Sequence, residues 1–163
     1  MKRLLQNIFS GWFLRSRWFP ADVMTRIHDA IAESELGHGG EICFAVESRY
    51  SPWTVLAGWQ TRDRANQLFS QLRVWDTQDN SGVLLYLQLA ERRVEIIADR
   101  GIAARVDNGR WQLVCEQFID DIGKGQADSA VLACIGKINA ILTMHFPMGA
   151  DNPRELSDHP VIL

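Results

Sequence analysis

The sequence predicts an α/β domain, a small mixed β-sheet sandwiched between helices on both faces. Three observations carry that expectation. Residues 83–89 are almost continuously apolar, as in a central strand covered on both sides. A short polar break at 90–93 leads into a second β-branched run at 94–98, which reads as a hairpin. The stretches on either side place apolar residues at helical spacing.

The elements follow in order. In residues 1–19, Leu4, Leu5, Ile8, Phe9, Trp12 and Phe13 recur at i, i+1, i+4, i+5, i+8 and i+9, one face of a helix. Lys2, Arg3, Arg15 and Arg17 give this segment a charge of +4 with no acid, against −3 for the whole chain. A basic, aromatic, amphipathic segment suits a membrane surface or a membrane-associated protein partner. The alternatives are packing on its own domain or on a second copy, as a homodimer.

Residues 20–147 read as the domain proper. Pro20 and Asp22 favour a helix start, and Val23, Ile27, Ala30 and Ile31 mark its buried stripe. Glycines at 37, 39 and 40 end it, and Ile42, Phe44 and Val46 alternate as a first strand to Glu47. After a looser stretch around Pro52, Ala65, Leu68, Phe69 and Leu72 predict a helix over 62–73. The turn at 76–82 and the hairpin come next. Trp111, Val114, Phe118 and Ile122 form one further stripe, and Val131, Cys134, Ile135, Ile138 and Leu142 another, stopped by Pro147. Trp53, Trp59, Trp75 and Trp111 are expected around the core, with Trp75 able to wall a pocket. The last segment, 148–163, lacks periodicity and reads as an extended tail.

Several function classes are excluded or disfavoured. A body that is −7 outside the basic segment lacks the basic face that nucleic acid requires, so no nucleic-acid partner is expected. Cys43, Cys115 and Cys134 are odd in number, far apart and set in apolar stretches, which fits buried thiols in a reducing compartment. No run approaches the roughly 18 apolar residues of a spanning helix, and no cleavage signal follows the N-terminal segment. The localisation so read is cytoplasmic, with the first segment able to hold the chain peripherally at the inner face of the cell membrane. The sequence holds no P-loop, dinucleotide fingerprint, serine-hydrolase elbow or zinc-protease motif, so no organic cofactor is expected. His38, among glycines, reads as a turn or surface histidine, with a general-base role as the alternative.

Chemistry is expected at one rim. With the first two strands parallel and the third antiparallel, Glu41, the 76–82 turn and Asp99-Arg100-Gly101 fall at the same sheet end. Asp107 and Asn108 lie close to it in sequence. Glu41, Asp76, Asp79, Asn80 and Asp99 are candidate ligands for a hard divalent cation, Ca²⁺ or Mg²⁺. The alternative is structural: Asp79 and Asn80 cap a turn, and Asp99 pairs with an arginine. The turn is not an EF-hand, since its twelfth position is Leu87.

Residues 40–42, Asp63-Arg64-Ala65, 72–77, 80–86 and 98–102 together resemble the TPM domain family. More closely, the sequence resembles that family's short, single-domain bacterial form, whose ending Phe146-Pro147 and 155–158 also resemble. The resemblance implies a mixed sheet between helices. It implies calcium binding, as in some members, and acid phosphatase activity, as described for plant thylakoid-lumen members. The family's Asp-Asn-Gly turn maps onto Asp79, Asn80 and Gly82 with Ser81 inserted, and its second acidic loop onto Asp99-Arg100-Gly101. The sequence therefore supports a binding or assembly module with a divalent-cation site at an acidic rim. A metal-assisted phosphatase, with Asp79 and Asp99 on the metal and Arg73 or Arg100 on phosphate, or a dimerising domain, are the alternatives.

Overall fold

The computed structural model describes residues 3, 4, 7, 11–149 and 155–163, and at 11–13 the backbone only. The helices are α1 (Gly11–Trp18), α2 (Ala21–Ser34), α3 (Pro52–Leu56), α4 (Thr61–Gln71), α5 (Arg100–Ala103), α6 (Asn108–Gly123) and α7 (Ala127–His145). The strands are β1 (Glu41–Glu47), β2 (Gly82–Gln88), β3 (Arg93–Ala98) and β4 (Val161–Ile162).

The sheet order is β3-β2-β1-β4. β1 and β2 are parallel with Glu41 opposite Gly82, and β2 and β3 are antiparallel with Val83 opposite Ala98. Alternation along the strands divides the core into two layers. Ile42, Phe44, Val46, Val83, Leu85, Leu87, Val94 and Ile96 face the buried stripes of α2, α6 and α7. Cys43, Ala45, Leu84, Tyr86 and Ile97 face Ala65 and Leu68 of α4. The mixed, doubly covered sheet is as the sequence predicts.

Four expectations are corrected. The tail is not merely extended: β4 pairs parallel with β1, Leu163 N–H donates to Val46 O at 2.9 Å, and Ser48 N–H donates to Leu163 O at 3.1 Å. Trp53 and Trp75 do not pack in the core but are 79% and 51% exposed, whereas Trp111 is buried. His38 is neither a surface nor a loose turn residue: it is fully buried and bridges Pro147. Burial pushes its pKa below the usual imidazole range, and its Nδ1 accepts the Gly40 N–H at 3.1 Å. Finally, α7 is by length and composition apolar enough to cross a membrane, contrary to the reading of the apolar runs, yet its stripe from Ala127 to Leu142 is built into the core.

The N-terminal residues that are described dock on their own domain. Asn7 is buried, its Oδ1 accepting Tyr50 N–H at 2.7 Å and Gln88 Nε2–H at 3.2 Å, while its Nδ2 donates to Glu91. Arg3 Nε donates to Glu91 Oε1 at 2.6 Å, and Leu14 and Trp18 pack against the core. Leu4 is half-buried. Leu5, Ile8 and Phe9, and the side chains of Trp12 and Phe13, lie outside the described residues.

Candidate functional site

The rim at the start of β1 and β2 forms as the topology requires. Asp99 N–H donates to Gly82 O at 2.9 Å, Glu41 N–H to Ser81 O at 3.1 Å, and Gly101 N–H to Asn80 O at 3.1 Å. A Cβ on Gly101 would stand 2.5 Å from Asp79 O and 2.7 Å from Asn80 O, so glycine lets α5 start directly beneath the turn. Asn80 has φ 52°, a conformation its short polar side chain tolerates.

The predicted residues gather at this rim without all converging. Asp99 is buried at 8% exposure. Its Oδ1 accepts Arg100 N–H at 2.7 Å as the cap of α5, while Oδ2 is buried with no hydrogen-bond partner among the described residues. Asp79 and Asp76 are exposed on the 76–82 turn. Arg100 Nε donates to Asn80 Oδ1 at 2.6 Å, and Arg73 is exposed at φ 55°, just past the end of α4. Asp107 caps α6 through Gly109 N–H.

Glu41 faces the α4 side of the sheet, as Asp99 does, but two strands away. Between them the Val74 carbonyl lies over Gly82, 1.9 Å from where a Cβ would stand. The Glu41 carboxylate is turned to the tail instead, accepting Glu155 N–H at 3.3 Å and Leu156 N–H at 3.1 Å. Burial, more than the neighbouring acids, raises its pKa. Among the described residues no three His, Cys, Asp or Glu side chains converge as a metal-ligand set.

Two clusters were not singled out in the sequence. Glu47 accepts Arg64 Nε at 2.9 Å and Nη2 at 3.0 Å, and Tyr86 Oη at 2.5 Å, all beneath α4. Glu35, at the end of α2, is 4% exposed; its Oε1 accepts Ile42 N–H, and its carboxyl faces Asp158 of the tail. Burial first, then Glu41 and Asp158, push its pKa up to about 8. A lone charged residue at a strand or helix end carries no sequence signal of so distant a partner.

The TPM domain model matches residues 17–141. The chain belongs to the TPM domain family. The TPM core thus takes in both strands of the crossover, the hairpin and most of α7, while β4 lies beyond the matched span. Among solved structures, the NMR structure of the BA42 protein from the psychrophilic bacterium Bizionia argentinensis is similar at 25% identity and TM-score 0.77, covering 87% of this chain and 93% of that one. The N-terminal domain of a protein from P. gingivalis, at 18% identity and TM-score 0.59, covers 81% and 83% and shares the TPM chain's fold. No curated protein matches it.

Proposed function

We propose that this TPM domain is a binding module whose rim takes a hard divalent cation, Ca²⁺ or Mg²⁺, at Asp99. The supporting observation is Asp99 Oδ2, buried and without a hydrogen-bond partner among the described residues. A buried carboxylate oxygen left unsatisfied is costly, and a cation beside it removes that cost. Asp79 and Asp76 carry carboxylate oxygens on the adjoining turn, the ligand type such cations take, whereas Asn80 Oδ1 is engaged by Arg100. Glu41, engaged with the tail, is left out of this set. No observation at the rim favours phosphatase chemistry specifically, because Arg100 is turned to Asn80 and Arg73 ends a helix.

The test is an amide-resonance titration with CaCl₂ and with MgCl₂ on the wild type, Asp99→Asn and Asp79→Asn. Saturable shifts confined to residues 76–82 and 98–102, lost in Asp99→Asn, are expected. Absence of shifts at millimolar cation, or equal shifts in Asp99→Asn, overturns the reading.

A further inference from the structure

The α6 and α7 pair carries a surface that the rim chemistry does not use. The start of α6 lies at the end of α7, with Arg110 Nη1 3.8 Å from Met144 Sδ and 3.3 Å from His145 Nε2, so the helices run antiparallel. Their inner stripes are buried. Their outer sides leave an open groove of about 320 Å³ with an apolar floor that includes Leu113, Ile141 and Met144. Leu113 is 59% and Met144 67% exposed, a large commitment of apolar side chain to solvent on neighbouring helices.

The charges around this groove have one sign. Arg110 and Lys137 line it and no acidic residue does. Neither forms an ion pair among the described residues. Asp121, whose carboxylate feels Lys137, is bound to Lys124 Nζ at 2.8 Å. Arg110 stands level with Met144, seven residues after Lys137 on the same helix. At 1.5 Å per residue the two cations are about 10 Å apart along the groove, two helical turns.

That spacing defines the complement. Carboxylates at i and i+7 of a helix lie on one face about 10 Å apart, with positions i+3 and i+4 between them to meet the apolar floor. A second copy of this chain would bring its own Arg110 and Lys137 against the same cations, so it is the wrong occupant. We propose that the α6–α7 groove docks an acidic amphipathic helix of a partner protein, by helix-in-groove recognition. Leu113, Ile141 and Met144 supply contact area, Met144 adapting to the ridge it meets. Arg110 and Lys137 set register and orientation.

A synthetic helical peptide of about 16 residues, with Glu at i and i+7 flanking two leucines, is the probe. Titrated into the full chain, it should shift resonances of Leu113, Ile141 and Met144 selectively. Lys137→Glu should weaken binding at least about tenfold, and a peptide with Lys in place of one of the two Glu residues, which leaves the other for Arg110, should recover part of that loss on the Lys137→Glu protein. Leu113→Ser, at an exposed position that leaves the fold intact, should weaken it as well. The proposal fails if millimolar peptide leaves these resonances unmoved or if charge reversal has no effect. It also fails if the same residues instead report concentration-dependent self-association. Binding to phosphatidylcholine–phosphatidylglycerol vesicles that is lost in Lys137→Glu, without peptide binding, would assign the groove to a lipid surface and overturn it.

Discussion

Glu47 shows how this domain keeps a charge inside. It sits at the end of β1, 7% exposed, and is satisfied by two Arg64 nitrogens and the Tyr86 hydroxyl. Burial and the adjacent Glu47 push the Tyr86 phenol far above its usual range, so that hydroxyl stays a donor. Removing one member leaves the other charge buried and alone. Arg64→Met should therefore cost about 3 kcal/mol, and Arg64→Met combined with Glu47→Leu should recover part of it. Urea denaturation of the single and double variants measures both, and an unperturbed midpoint in Arg64→Met would contradict the account. Gly82 fails for a steric reason instead. With Val74 O 1.9 Å from a built Cβ, Gly82→Ala must push backbone, and a loss of about 3 kcal/mol is expected, visible as a lowered melting temperature.

Among the elements, the C-terminal strap has the clearest linkage to pH. It is held by Glu41, which accepts two of its N–H groups, by Glu155, which accepts Gln78 N–H, and by β4 on β1. His159 stacks on His28 at 4.6 Å, with Asp29 bonded to His28. Glu35 faces Asp158, Glu41 and Cys43 from the end of α2. Burial first, and then the nearby Glu41 and Asp158 carboxylates, raise the Glu35 pKa from 4.5 to about 8. The folded state then holds a proton that the unfolded chain gives up. Its stabilising contribution is present in full below about 4.5 and is lost as pH rises through about 8. Amide exchange at Leu156 and Leu163, corrected for intrinsic base catalysis, should accelerate through that upper limit. Glu35→Gln should flatten the profile, and an unchanged slope would separate the strap from this proton.

The elements also differ in how legible they were. β2 and β3 announce themselves because a doubly covered strand must be apolar throughout and a hairpin needs only a short polar break. α2, α6 and α7 are long enough for their period to emerge. α3 and α5, of five and four residues, and β4, of two, are too short to carry a period. β4 exists because β1 offers it an edge, a long-range fact. The tryptophans misled for a related reason: Trp53 lies on the one-turn α3, capped by Ser51, which has no buried stripe to place it in.

At the scale of the whole molecule, the rim, the N-terminal contacts and the α6–α7 groove lie at separate places on the TPM domain. Topology alone brought Asp79, Asn80 and Asp99 to one rim, and strand pairing could be read from sequence well enough to say so. What it could not reveal was that the Val74 carbonyl stands between Glu41 and Asp99, or that Glu41 serves the tail. The basic N-terminal segment was legible in charge and period, while its anchoring at the other end of the sheet through Asn7 and Arg3 depends on Tyr50, Gln88 and Glu91, far along the chain. The α6–α7 groove lies on a third side, so cation binding at Asp99 and helix docking should be independent. The Asp99→Asn protein should bind the acidic peptide with wild-type affinity, measured by fluorescence anisotropy.

The position of β4 has one more consequence. A sheet of order β3-β2-β1-β4 has two margins, and at one of them Arg62 Nη1 is bonded to Ile96 O. At the other, among the described residues, the edge of β1 is paired by a strand of two residues. A protease that trims the last few residues would leave the core packed and β1 with unsatisfied N–H and C=O groups facing outward. The damaged molecule would then be a template for edge-to-edge polymerisation, lost by recruitment and not by unfolding.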